Sequence, residues 1–343
     1  MFRSKANPEP ERAPVTARRR GSIPNPQMQA VLDELAKLSR KPIETLTPEE
    51  ARRQPSVMDA VKSLLEGQGK LARPEPVGYV RDVKIPGPAR KIAARVYVPG
   101  GDGPFPVTVY WHGGGWVIGN IDTYDASCRA ICNASRSVVV SCHYRQAPEH
   151  PYPAAPDDAL AAYQWIAKNA AVLRGDHRRI AVAGESAGGN LAAAVCLRAR
   201  DQKLPMPIHQ LLIYPMLNNN FHSASYREYG NAKPLNERMM LWFMGHYVGH
   251  QPEGVMSSRA FPVKAHDLSK LPSATIINAE IDPLRDDGKL YADRLRAAGV
   301  PATQHTYSGV THEFFGMGAV LVDAKRAVAE AAEGLKSSFR RYH

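Results

Sequence analysis

The stretch RIAVAGESAGGNLAAAVCLRA, from Arg179 to Ala199, sets the frame for the whole chain. Ile180 to Ala183 is a short apolar run of the kind that forms a buried strand. Asn190 to Ala199 is rich in alanine and leucine and reads as a helix. Between them lies Gly184-Glu185-Ser186-Ala187-Gly188, which fits G-x-S-x-G. A serine on so sharp a strand-to-helix turn is held in a strained conformation, with its hydroxyl clear of the sheet. Glycines flank it because a Cβ on either side of the turn would clash. The following helix aims the positive end of its dipole at the serine, which favours negative charge developing there. The pentapeptide alone also arises by chance, so the strand and helix around it carry the reading.

A chain of 343 residues has room for one large α/β domain or two smaller ones. Its apolar fraction of 44% is ordinary for a globular protein. No apolar run is long enough to span a bilayer, so no membrane partner is expected. The first residues, MFRSKANPEPERAPVTARRRG, are basic but lack the apolar stretch of a secretory leader. They read as a disordered lead-in rich in proline and arginine. The four cysteines, Cys128, Cys132, Cys142 and Cys196, show no C-x-x-C spacing. Cys142 and Cys196 fall in apolar runs as buried thiols, and a reducing cytoplasm is the expected compartment. The net charge of +11 invites a nucleic-acid reading. Much of the excess sits in the lead-in, with no recognition motif beside it, so nucleic acid is not expected as a partner.

Residues 24 to 72 read as helical. Met28, Val31, Leu32, Leu35 and Leu38 follow the helix period. Thr47-Pro48-Glu49-Glu50 is a capping box that opens a second segment ending near Gly67. Strand patterns follow at Val77–Ile85 and Ile92–Val98, a hairpin-like pair split by Pro86-Gly87-Pro88. Further strands are expected at 105–111, 137–144, 180–183, 209–214, 274–279 and 303–307. Helices are expected between them at 124–134, 156–172, 190–199 and 288–298, with a closing helix at 319–339. This alternation predicts a mostly parallel sheet of roughly eight strands with helices on both faces.

One connection breaks the rhythm. Between Pro215 and Pro272 lies an insertion containing a helix, Asn236 to Tyr247, apolar on nearly every face. Such a helix must be buried on several sides. An insertion after a strand's C-terminal end sits above the site of an open α/β sheet. The expectation is a lid built from this insertion and the N-terminal helices, against the plainer reading that its Met and aromatic residues are core. The expected organisation is a basic extension (1–24), N-terminal cap helices (25–72), a catalytic domain (73–216 and 263–343) and a cap insertion (217–262).

A serine hydroxyl needs a base to become a nucleophile, and the base needs an orienting acid. After the next-to-last strand comes NAEIDPLRDD, residues 278–287, and after the last comes GVTHEFF, residues 309–315. Both loops leave strand C-terminal ends, the edge that carries Ser186. Asp282 is read as the acid, with Glu280, Asp286 and Asp287 as rivals; the last two resemble N-terminal charges of the next helix. His312 is read as the base, because it alone of the twelve histidines lies in the loop after the last strand. His246 and His250 stand four apart, but a pair without a third ligand is a weak metal signature. His112-Gly113-Gly114-Gly115 follows the third strand. Its glycines let the Gly113 and Gly114 amides approach a developing oxyanion, with the Ala187 amide as a third donor. No G-K-[ST] or G-x-G-x-x-G accompanies them, so a phosphate cradle is not expected.

Five segments carry a family resemblance: HGGGWVIGNIDTYD (112–125), YRQAPEHPYPAAPDD (144–158), GESAGGN (184–190), DPLRD (282–286) and HEF (312–314). In this order they resemble the bacterial hormone-sensitive-lipase family of carboxylesterases. The resemblance implies an α/β-hydrolase fold, a two-part cap, no cofactor, and hydrolysis of short- to medium-chain acyl esters. It also implies Ser186, Asp282 and His312 as triad, and Gly113, Gly114 and Ala187 as oxyanion donors. Expected pocket residues are Trp116, Glu185, Tyr214, Met239, Phe243 and Leu284. The chain departs from the family at Glu185, where aspartate is common, and at Glu313, where glycine is common. Glu185 is read as a scaffold contact. Glu313 is read as raising the base's proton affinity or narrowing the leaving-group side. Competing readings are an amidase, a lactonase or xenobiotic esterase on the same machinery, and a ligand receptor that only binds. The sequence leaves a homodimer open.

Overall fold

The structure, a computed structural model, describes residues 22–39, 41–249 and 258–342. Eight strands form one sheet: β1 Tyr79–Ile85, β2 Ile92–Val98, β3 Phe105–Trp111, β4 Val138–His143, β5 Gly175–Glu185, β6 His209–Ile213, β7 Ser273–Ile281 and β8 Ala302–Thr311. Their order is β1-β2-β4-β3-β5-β6-β7-β8. The β1–β2 and β2–β4 pairs are antiparallel, and every later pair is parallel. The central strands are apolar on both faces, and β6, HQLLI, is buried at every position. The outer strands β1 and β8 alternate between exposed and covered residues, as edges with one open face do.

Two layers of helices cover the sheet. One face packs α5 (Ala154–Asn169), α6 (Ala187–Asp201) and α9 (Arg285–Ala297) over Val107, Val109 and Val182. The other packs α4 (Asp125–Ser135) and α10 (Val322–Arg340) over Tyr110, Ala181 and Ile213. Tyr110 lies between Val109 and Trp111 in sequence but in the opposite layer, the period of two that a strand imposes. All four cysteines are buried free thiols.

The remaining helices lie at the carboxyl edge of the parallel strands. The N-terminal segment forms α1 (Pro26–Leu38), α2 (Pro48–Arg52) and α3 (Val57–Gly67). The second expected helix is therefore two. It breaks at Pro55, whose ring pushes the preceding Gln54 out of the helical region. Both pieces start on capping boxes: Thr47 with Glu50, and Ser56 with Asp59. The insertion forms α7 (Ala224–Tyr229) and α8 (Glu237–Val248), the latter capped by Asn236. On α8, Met239, Met240, Phe243, Met244 and Tyr247 are buried. Leu241 is 52% exposed, so one face meets solvent after all. Among the described residues no helix is long and apolar enough to cross a membrane.

Candidate active site

Ser186 sits between β5 and α6 at φ 55°, ψ −117°, a conformation that L side chains rarely adopt. Sterics force it. A Cβ on Gly184 would overlap the Gly188 backbone, and one on Gly188 would overlap the Trp111 carbonyl. The Ser186 amide donates to Ile213 O (2.9 Å), and its carbonyl accepts from Met216 N (3.2 Å), which pins the turn to β6. Trp116, Tyr214 and Glu313 also have positive φ. Strained residues gather where surrounding structure holds a functional geometry in place.

Asp282 and His312 leave adjacent strands, because Ile281 of β7 pairs with Thr311 of β8. His312 Nδ1 donates to Asp282 Oδ2 at 2.6 Å, and the other carboxylate oxygen accepts from the Leu284 amide at 2.8 Å. Both side chains are almost wholly buried. Burial works against a charged imidazole. The Asp282 carboxylate outweighs it, with Glu313 and Glu185 adding to the field, and the His312 pKa ends above its ordinary value. The three rival carboxylates are occupied elsewhere. Glu280 accepts from Ser22 and Gly309, Asp286 from the Ser225 amide, and Asp287 from the Leu217 and Asn218 amides.

The loop from His112 to Gly119 has its carbonyls claimed from behind. Tyr144 Oη donates to His112 O (3.0 Å) and Gly113 O (3.2 Å). Arg52 Nε holds Val117 O (2.8 Å), and Gln146 Nε2 holds Ile118 O (2.7 Å) and Gly119 O (3.0 Å). Burial, with His143 beside it, pushes the His112 pKa down to about 3. The ring is neutral, so Nδ1 donates to Gly113 O (2.8 Å) and Nε2 accepts from His143 Nδ1 (3.0 Å). The amides of Gly113, Gly114, Gly115 and Ala187 donate to nothing among the described residues. Ala187 opens α6, where the first amides of a helix have no partner within it.

These groups meet at a cavity of about 820 Å³. Ser186, Ala187, His312, Gly114 and Gly115 line its floor. Among the described residues Ser186 Oγ and His312 have no hydrogen bond to each other; in empty sites such bonds often tighten only when substrate arrives. Gly113, expected among the oxyanion donors, lies behind the wall, its Cα facing the Tyr124 hydroxyl and the Glu185 carbonyl.

Of the expected pocket residues, Trp116, Met239 and Phe243 line the cavity; Glu185, Tyr214 and Leu284 do not. Glu185 is buried under the elbow and accepts from Tyr110 Oη (2.6 Å) and from Tyr214 Oη, as a scaffold contact. Burial raises its pKa, and those hydroxyls oppose the rise. Tyr214 is spent on that bond and on a tilted ring contact with His312, with ring centres 4.6 Å apart. Leu284 is fully buried, and its amide serves Asp282.

Leu32 and Leu35 of α1, with Val57 of α3, line the cavity without having been singled out. The α1 stripe is wide enough to do two jobs: Met28 and Val31 are buried against the domain, and Leu32 and Leu35 turn to the cavity. The N-terminal helices are tied down by Arg52, which also holds Ala147 O (2.8 Å) and both Glu149 oxygens (2.7 Å each), and by Trp242 Nε1 of α8 on Leu46 O (3.2 Å). His250 lies outside the described residues, and His246 packs edge-on against Trp242.

A family model described as the alpha/beta hydrolase fold matches residues 108–316. The chain belongs to the hormone-sensitive-lipase family of α/β-hydrolases. It is 42% identical to the carboxylic ester hydrolase LipN of Mycobacterium tuberculosis, over 69% of this chain and 65% of that protein. It is 38% identical to esterase LipI of the same organism, over 82% of this chain and 89% of that protein. Among solved structures, the hyperthermophilic esterase of Pyrobaculum calidifontis superposes with a TM-score of 0.82 at 39% identity, covering 92% of this chain and 98% of that one. The protein is a carboxylic-ester hydrolase.

Proposed function

We propose that the protein cleaves short- to medium-chain acyl esters through a Ser186–His312–Asp282 triad and an acyl-enzyme intermediate. The observation that carries the reading is the 2.6 Å His312–Asp282 hydrogen bond at the wall of a cavity that Ser186 also lines. With Nδ1 engaged by the carboxylate, the other ring nitrogen is left as the proton acceptor. His312 takes the Ser186 proton as the oxygen attacks the ester carbonyl. The tetrahedral oxyanion is met by the amides of Gly114, Gly115 and Ala187, one residue further along than the pair expected in the glycine run. Collapse expels the alcohol, which takes the proton from His312. Water then repeats the sequence on the acyl-enzyme, freeing the acid and Ser186.

The two-part cap, α1–α3 and α7–α8, supplies the acyl pocket. A cavity of about 820 Å³ falls within the usual range for small-molecule sites. Met239, Met240 and Phe243 face it from above and give it an apolar roof. Ser186→Ala tests the nucleophile: turnover of p-nitrophenyl esters and labelling by an organophosphonate both disappear, with the melting temperature unchanged. Turnover at the wild-type rate in that variant would overturn the assignment.

A further inference from the structure

Asp282 and His312 stand side by side only because β8 carries extra residues. Between the pairs Ala279–Tyr307 and Ile281–Thr311, β7 advances two residues and β8 four. Without that irregularity the ladder would bring Val310, not His312, opposite Asp282. Ser308, Gly309 and Val310 form a bulge, and the single residue facing them on β7 is Glu280. A bulge leaves backbone groups out of the ladder and must satisfy them otherwise.

Glu280 does this for the Gly309 amide with one oxygen and ties the N-terminal segment with the other. Oε2 accepts the Gly309 amide at 2.8 Å, and Oε1 accepts the Ser22 hydroxyl at 2.7 Å. Gly309 has φ 68°, and its carbonyl accepts the Asn25 amide at 2.8 Å. The entry to α1 thus lies across the bulge and closes it from outside. Among the described residues no cation pairs with Glu280, so its carboxylate is committed to neutral donors on β8 and on the N-terminal segment.

We infer that Glu280 is a positioning residue: by holding the β8 bulge it sets the register that delivers His312 to Asp282. The inference rests on the reading of His312 as base. The test is the kinetics of Glu280→Ala and Glu280→Gln on p-nitrophenyl esters across pH. In the alanine variant kcat falls between about 10- and 100-fold, as expected for a displaced catalytic group, and KM stays near its wild-type value. The acid limb of kcat/KM also moves to lower pH, because His312 loses part of the Asp282 field that raises its pKa. The glutamine variant keeps both properties, since its amide oxygen still accepts the Gly309 amide.

Wild-type kcat and acid limb in Glu280→Ala would overturn the inference, as would a glutamine variant as impaired as the alanine one. Where the alanine variant does not fold, Glu280→Asp takes its place. It keeps the charge but is a methylene too short, so a partial loss of kcat with the same acid-limb shift is expected; wild-type behaviour sinks the inference. Ser186→Ala measured alongside separates the two claims. Its continued turnover would refute the triad, whereas unaffected Glu280 variants beside an inactive Ser186→Ala refute only the positioning role.

Discussion

The floor of the cavity and its roof are built on different principles. The floor is fixed through its backbone, by close packing at the elbow and by side chains of Tyr144, Arg52 and Gln146 that grip the carbonyls of the glycine loop. At Gly184 and Gly188 there is no room for a single additional carbon, and the carbonyls of the glycine loop are claimed from behind. The roof is held by side chains: apolar stripes of α1 and α8, the Arg52 clasp on Glu149, and Trp242 on Leu46. Chemistry needs groups fixed to fractions of an ångström, which close-packed backbone supplies. Substrate selection needs a surface that can change without moving those groups. Substitutions in the floor therefore act on kcat or on folding itself, and those in the roof on selectivity.

The largest effect belongs to the buried Asp282–His312 hydrogen bond. Asp282→Asn removes the charge that orients and raises His312, and kcat is expected to fall by about 10⁴, as in other triads. Asp286→Asn, four residues away, touches only the Ser225 amide and Arg285, so ester turnover stays near wild type. The reverse pattern would move the acid. If His312 is the base proposed above, it must be neutral to take a proton, so activity is expected to be lost as pH falls through the His312 pKa. That pKa is raised, which places the acid limb of kcat/KM above the ordinary imidazole value of about 6.5.

Next in size is a test of the floor as packing. Gly188→Ala drives a methyl group into the Trp111 carbonyl, backbone that cannot rotate away. The expected cost is about 3 kcal/mol, the upper end for overpacking, read as a lowered midpoint in urea with little soluble activity. A variant as stable as wild type would show that the elbow yields, and the contrast between floor and roof would weaken.

The same contrast explains what could be read in advance. Sterics at G-E-S-A-G are local, and the strand, turn and helix lie within 21 residues, so the elbow was legible. Every strand was legible, but β5 runs from Gly175 rather than Ile180, and β8 runs on to Thr311 rather than ending at Tyr307. The first stretch of β5, GDHRR, is polar because Asp176 pairs with Arg178 and Arg179, which hides the strand pattern. The Asp282 and His312 loops were found from their place after the last two strands. Two things were not legible. The direction of a side chain at a strand end depends on partners far away: Glu185 turns down to Tyr110 and Tyr214 rather than into the cavity. Which glycines of the run reach the cavity depends on tertiary packing: Gly114 and Gly115 line it and Gly113 does not, and no local pattern in the sequence distinguishes the three.

The smallest effect probes the roof. Phe243 of α8 lies against Gly115, so close that a Cβ on that glycine would overlap the ring. It is buried, 3% exposed, and faces the cavity directly above two of the unclaimed amides. Phe243→Ala removes the ring without touching the amides, Ser186 or His312. The opened space accepts longer acyl chains, and a pocket change of this size is worth on the order of 10-fold in selectivity. The ratio of kcat/KM for p-nitrophenyl decanoate over the acetate is therefore expected to rise about tenfold. It should do so with kcat for the acetate nearly unchanged, because the reacting groups have not moved. A fall in acetate kcat with no change in the ratio would mean that the ring buttresses the glycine loop instead, and Phe243 would then belong with the floor.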